Sequence, residues 1–165
     1  MMIQFDTPEG KFVYRAASIV RRGDEVLLHM FEGQEFWCIP GGRMEMNEPA
    51  RECVRREMVE EMGLPEDTEI HVGDLLYIIE NLYTYGGMRH HECGLYFEAT
   101  LPPDSAQMQA QKFIGHEWDG SELYFEWFPT SALGGLDLRP AILRTLLRQP
   151  PTGHPQYVLY RGEAS

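Results

Sequence analysis

Glu57, Glu60 and Glu61 stand at i, i+3 and i+4 in a stretch, residues 48–62, that reads as a helix. At about 100° per residue they fall in the same arc as Ala50, Cys53 and Val54, the face a helix turns inward. Glu52, Arg51 and Arg55 point to the other side. Neighbouring carboxylates repel one another, and the helix dipole disfavours anions near a C-terminus. Burial adds to that cost unless protons or cations compensate. Oxygen donors without thiolates suit a hard cation such as Mg²⁺ or Mn²⁺. The alternative is an acidic face left in solvent.

The sequence around these residues runs from Gly42 through Glu48 and Arg56-Glu57 to Glu60-Glu61, Gly63 and Leu64. It resembles the Nudix box, G-x5-E-x7-R-E-U-x-E-E-x-G-U, where U is a bulky aliphatic residue. The seven fixed positions are Gly42, Glu48, Arg56, Glu57, Glu60, Glu61 and Gly63, and all match. Met58 occupies a position where an aliphatic residue is usual. Phe36-Trp37-Cys38-Ile39-Pro40-Gly41 looks like the strand and turn that enter the box.

That resemblance implies a fold and roles. The fold is an α/β/α sandwich with a mixed β-sheet, and the activity is metal-dependent hydrolysis of a phosphoanhydride in a nucleoside diphosphate linked to another group. Glu57, Glu60 and Glu61 match the metal-binding carboxylates, with the Gly41 carbonyl as a further ligand. Glu57 is also the position credited with helping to activate water. Arg56 and Glu48 look like the pair that orients the cluster, while Gly42 and Gly63 shape the loop before the helix and the turn after it. Such hydrolysis needs charge neutralisation on phosphate oxygens, a lowered water pKa and an oriented nucleophile.

A base or further ligand outside the box is expected, and Glu92 is the candidate. In a strand over Met88 to Thr100, residues His91, Cys93, Leu95, Phe97 and Ala99 form one mainly apolar face. His90, Glu92, Gly94, Tyr96 and Glu98 form the other. Glu117 and Glu122 are next in order. His90 and His91 beside a hairpin read as ordinary polar residues, and Trp37 reads as core.

The elements that must position these groups follow from periodicity and turn residues. Phe12 to Val20 and Glu25 to Phe31 read as strands joined by Arg21-Arg22-Gly23-Asp24. The helix has Asn47 as N-cap, Pro49 in the first turn and Gly63 past its end. Leu75 to Tyr85 and Met88 to Thr100 form a hairpin about Gly86-Gly87. Leu123 to Phe128 reads as a strand, and segments around Pro129 to Leu133 and Arg139 to Leu147 as helical. The tail, residues 150–165, stays unassigned.

With 165 residues, the chain is expected to be a single domain. A net charge of −12 without a Lys/Arg cluster argues against nucleic-acid polymers and anionic membranes as partners. It permits a small anionic nucleotide if cations stand between carboxylates and phosphates. Cys38, Cys53 and Cys93 suggest neither a disulfide framework nor a zinc site. With no apolar run of membrane-spanning length and no signal peptide, the expected location is the cytoplasm, as monomer or homodimer.

Substrate-binding residues are not legible. Tyr83 and Tyr85 lie where dinucleoside polyphosphate hydrolases of the family carry a tyrosine. Nucleoside triphosphates, sugar nucleotides and dinucleotides all stay open. A non-catalytic Nudix-like module that senses a nucleotide is the competing reading.

Overall fold

The computed structural model describes residues 1–164, with side chains through residue 162. Its strands are β1 (Gln4–Thr7), β2 (Gly10–Arg22), β3 (Glu25–Phe31), β4 (Gly41–Arg43), β5 (His71–Tyr85), β6 (Met88–Thr100), β7 (Lys112–His116), β8 (Glu122–Pro129) and β9 (Gln156–Ala164). The helices are α1 (Ala50–Met62), α2 (Ala106–Gln109) and α3 (Leu143–Leu146), with a 3-10 turn over Thr130–Gly135.

The sheet is mixed, in the order β7-β8-β3-β2-β6-β5-β9, with β1 and β4 also pairing to β2. β2 runs parallel to β6 from Lys11 to Val20, whereas its hairpin with β3 pairs only at Arg21 and Arg22. Beyond that short pairing the two strands part. The segment after β3 fills the gap: Cys38 bonds back to His29, the Ser18 N–H donates to the Pro40 carbonyl, and Gly41–Arg43 pair with Arg15–Ala17. The entry to the box is thereby threaded into the middle of the sheet.

Both faces of the sheet are covered. Ala16, Leu27, Leu95 and Phe97 pack with Cys53, Val54 and Met58 of α1. Ala17, Val26, Leu28 and Tyr96 pack on the other side with Leu133 and Leu143, from the 3-10 turn and α3. Apolar side chains alternate to the two layers because successive strand residues point to opposite faces. Trp37 meets Phe128 edge-on at 4.8 Å beside the second layer, and Trp127 is buried in the first.

Several boundaries differ from the sequence expectation. α1 begins at Ala50, and its cap is Pro49, with no side-chain cap bond. Proline disfavours helical backbone at the residue before it, so Glu48 stays outside the helix. Asn47 is not the N-cap but a turn residue with φ of 68°. Pro40 and Pro140 likewise punctuate the chain, and only Leu143–Leu146 of the segment 139–147 is α-helical. The unassigned tail forms β9, parallel to β5, and β1 and β7 are additional short strands. No described helix is long and apolar enough to cross a membrane.

Candidate active site

Arg56 organises the box. Its Nε and Nη2 donate to the two carboxylate oxygens of Glu48 at 2.6 and 3.0 Å, and its Nη1 donates to Glu57 at 2.7 Å and Glu60 at 3.3 Å. Nη2 also reaches the Arg43 carbonyl at 3.3 Å. Glu48 accepts the Glu45 N–H at 2.9 Å, which ties the loop before α1 to the same guanidinium. Hydrogen bonding to Arg56 pulls the Glu48 carboxyl below its ordinary range. Arg56 itself is held firmly charged, chiefly by Glu48.

Two glycines let the loop approach this closely. A side chain at Gly41 would lie 2.3 Å from the Ala16 carbonyl oxygen, and one at Gly42 would lie 2.1 Å from a Glu57 carboxylate oxygen. α1 ends at Gly63, whose left-handed φ of 62° turns the chain away.

The three box carboxylates are not equivalent. Glu57 and Glu61 are buried, whereas the Glu60 side chain is 59% exposed. Burial raises the Glu57 carboxyl, partly offset by Arg56. Glu61 is raised well above the usual range, by burial first and then by Glu57 and Glu117, while the Gly41 backbone amide and Arg15 pull the other way. The Oε2 of Glu61 is buried without a hydrogen-bond partner.

Two residues that sequence reasoning did not place here complete the surroundings. His29 is fully buried, with neither ring nitrogen hydrogen-bonded, and its Nδ1 lies 3.7 Å from Glu61 Oε2. Burial, and then Arg15, drive its pKa down to about 3, so the ring is neutral. Arg15 donates to the Ile39 carbonyl at 3.3 Å and feels both Glu92 and Glu61, joining the box to the region beyond it. Each had one signal in the sequence, a cationic or titratable residue in the middle of an apolar strand.

Glu92 is buried, but on the sheet face opposite α1, the face shared with Tyr96 and Asn81. It is not gathered with the box carboxylates. The carboxylate outside the box that acts on Glu57 and Glu61 is Glu117, just past β7. Glycine at position 115 allows this, because a side chain there would lie 1.8 Å from the Glu61 carbonyl oxygen. The Glu117 carboxyl is itself raised, mainly by burial. His91 bonds Glu80 at 2.7 Å and His90 stacks on Tyr83 with centroids 4.8 Å apart, both away from the box.

Among the described residues, no three His, Cys, Asp or Glu side chains already converge as a closed metal-holding group. The donor set nevertheless fits a hard divalent cation. Two buried carboxylates repel one another, a third stands close by, and one buried oxygen lacks any partner. A cation would relieve each of those costs.

A cavity of about 730 Å³ has Arg15, Asn81, Glu92, Tyr83, Phe36 and Arg139 among its lining residues, and no residue of the box lines it. Arg139 lies over the Phe36 ring at 4.1 Å and pairs with Asp137 at 3.0 Å. Aromatic rings share this lining with a larger set of charged and polar side chains, and a cavity of this size can hold a small molecule.

A mixed sheet with an Arg-anchored acidic helix set against its split defines the class. The chain matches the NUDIX domain over residues 12–149 and belongs to the Nudix hydrolase family. It is similar in fold to a mutator MutT protein from Bacillus halodurans, at 21% identity and a TM-score of 0.60, covering 92% of this chain and 90% of that one. An ADP-ribose pyrophosphatase from Streptococcus suis is similar at 13% identity and a TM-score of 0.58, covering 90% and 98%. A UDP-X diphosphatase is similar at 17% identity and a TM-score of 0.61, covering 94% and 68%.

Proposed function

We propose that this Nudix hydrolase is a divalent-metal-dependent enzyme that cleaves a phosphoanhydride in a nucleoside diphosphate linked to another group. The observation that carries the reading is the partnerless, buried Oε2 of Glu61 beside Glu57 and Glu117. A divalent cation there would relieve the repulsion among the three carboxylates and satisfy the partnerless oxygen.

Glu57, Glu60 and Glu61 with the Gly41 carbonyl would hold Mg²⁺ or Mn²⁺, which when bound neutralises phosphate oxygens and acidifies water. Arg56 holds Glu57 and Glu60 by hydrogen bonds, and Glu48 fixes Arg56 in turn. Gly42 leaves room for the Glu57 carboxylate. Glu57 takes part in orienting and deprotonating the attacking water. The base outside the box is assigned here to Glu117, which acts on Glu57 and Glu61, in preference to Glu92 on the opposite sheet face.

The test is a panel of nucleoside triphosphates, sugar nucleotides and dinucleotides incubated with Mg²⁺ or Mn²⁺, with products resolved by chromatography. Turnover of at least one member that stops in EDTA and returns with metal is expected. A nucleotide-sensing module would bind without turning over any.

A further inference from the structure

The face of the sheet that carries α1 extends well past the helix. Register partners set Phe5 of β1, Phe12 of β2, His91 of β6, Leu82 of β5 and Arg161 of β9 in one row across five strands. Four residues farther along, Ala16 and Leu95 share this face and pack with α1. The row itself stays outside that core layer, and Phe5 is 56% exposed. Phe5 stacks on Phe12 with centroids 5.1 Å apart, and Phe12 meets His91 edge-on at 5.8 Å. All five residues line a cavity of about 610 Å³. Ala17, the partner of Gly41, is five residues along β2 from Phe12, which sets the row about 17 Å from the entry to the box. The cavity that Arg15 and Glu92 line opens on the opposite face, and the two share a wall at Tyr83, Arg161 and Gly162.

The charge here runs against that of the chain. With 26 acidic and 14 basic residues overall, this cavity has Lys11, Arg89 and Arg161 in its lining against one carboxylate, Glu9. Lys11 pairs with Asp6 at 3.7 Å. Arg89 and Arg161 are exposed and, among the described residues, have no hydrogen bond or ion pair. Other arginines of the chain are engaged, such as Arg22 with Glu25, Arg56 with Glu48 and Arg139 with Asp137. A side chain at Gly10 would lie 2.5 Å from the Arg89 carbonyl oxygen, so glycine lets the β1-β2 turn close on β6 and keeps the rings beside Arg89. Accessible ring faces next to unpaired guanidiniums suit a ligand that is aromatic at one end and anionic at the other.

We propose that this cavity is a nucleotide-binding site separate from the box, in which a base stacks on the Phe5–Phe12 pair and the phosphate lies between Arg89 and Arg161. Stacking uses the face of the base and not its edge, so the site accepts different bases. Guanidinium groups supply the positive charge, so the phosphate is held without a metal ion. At the box the carboxylates repel phosphate unless a cation stands between them. Binding without metal therefore distinguishes the two sites. The site holds its nucleotide whether or not the box turns one over.

The experiment is calorimetric binding of AMP, adenosine and ribose 5-phosphate to the full chain in EDTA. AMP is expected to bind more tightly than either of the others by about fivefold or more, since each lacks one end of the ligand. Phe5→Ala and the double variant Arg89→Gln, Arg161→Gln should each weaken AMP by about fivefold or more. These side chains are exposed, and thermal melting shows that each variant is folded. Irradiation of bound 2-azido-AMP should label the strands that carry Phe5, Phe12 and His91. The proposal is overturned by no AMP binding in EDTA, by adenosine or ribose 5-phosphate binding as tightly as AMP, or by unchanged affinity in either folded variant. Label confined to the cavity of Arg15 and Glu92 overturns it as well.

Discussion

The Nδ1 of His29 lies 3.7 Å from the Oε2 of Glu61, and neither atom has a hydrogen-bond partner. A neutral imidazole and a reluctant carboxylate share a dry site with opposite pH responses. His29 is depressed to about 3, so the folded chain takes up fewer protons there than the unfolded chain. Its contribution is present above the ordinary histidine range and is lost as pH falls toward 3. Glu57 and Glu61 are raised, so the folded chain holds more protons there. Their contribution is present at low pH and is lost as pH rises through their folded pKa values.

The first prediction follows for the metal. A cation replaces the protons on Glu57 and Glu61, so its stabilising effect grows as those protons leave. The rise in melting temperature on replacing EDTA with Mg²⁺ should be small near about pH 5 and several degrees larger near about pH 8. Scanning calorimetry at both pH values checks this. An equal rise at both would place the cation elsewhere.

A second prediction separates charge from shape at the box. Glu57→Gln keeps volume and should lower kcat by about three orders of magnitude. It also removes a buried charge, so the melting temperature in EDTA should hold or rise while the Mg²⁺-induced gain shrinks. Glu52 is exposed in the first turn of the same helix, and Glu52→Gln should change neither quantity. Equal loss of turnover in both variants would mean that the inward face of the helix has been misread.

The third prediction sets Glu117 against Glu92. Glu117→Gln should reduce kcat by about a hundredfold, within the usual range for a general base, with KM little changed. Glu92→Gln, in the lining of the cavity, should act mainly on KM. The opposite split, with kcat lost in Glu92→Gln and retained in Glu117→Gln, would restore Glu92 as the base. Glu98, farther along β6, serves as the comparison and should be mild in both constants.

The difference between Glu92 and Glu117 marks the limit of what the sequence could show. α1, the β2-β3 hairpin and the β5-β6 hairpin are legible because glycine turns and periodicity agree along a local stretch. In β6, one apolar face was visible at Leu95, Phe97 and Ala99, and α1 packs on it. The other face is also buried, by the 3-10 turn and α3 near Tyr96 and by cavity walls near Glu92, so alternation alone could not say what Glu92 faces. Glu117 reaches the box through the approach of β7 to α1 at Gly115, a contact between residues far apart in sequence. Asn47 looked like a cap because the restriction that Pro49 places on Glu48 was outweighed by composition. β9 was hidden for a related reason: its partner residues in β5 lie about eighty positions earlier, and nothing local marks a parallel edge strand.

That edge strand supports the last prediction. Val158 and Tyr160 of β9 are half-buried against the second core layer, and β9 pairs with β5 from Gln156 onward. Tyr157 and Leu159 point outward, although the Tyr157 hydroxyl bonds to Glu80. Tyr160 and Arg161 also wall the cavity that Arg15, Asn81 and Glu92 line. Ending the chain after Pro155 removes two half-buried side chains, worth about 2 kcal/mol by area, together with the pairing to β5. For a domain of this size that corresponds to a fall in melting temperature of about 5 °C or more. Because α1 and the box stand on the other sheet face, kcat should be largely retained at a temperature where the shortened chain is folded, while KM rises with the loss of the cavity wall. Tyr157→Ala, outside both the core layer and the cavity, should shift the melting temperature by less than half as much. A shortened chain that melts with the full chain and keeps its KM would show that β9 neither stabilises the sheet nor bounds the site.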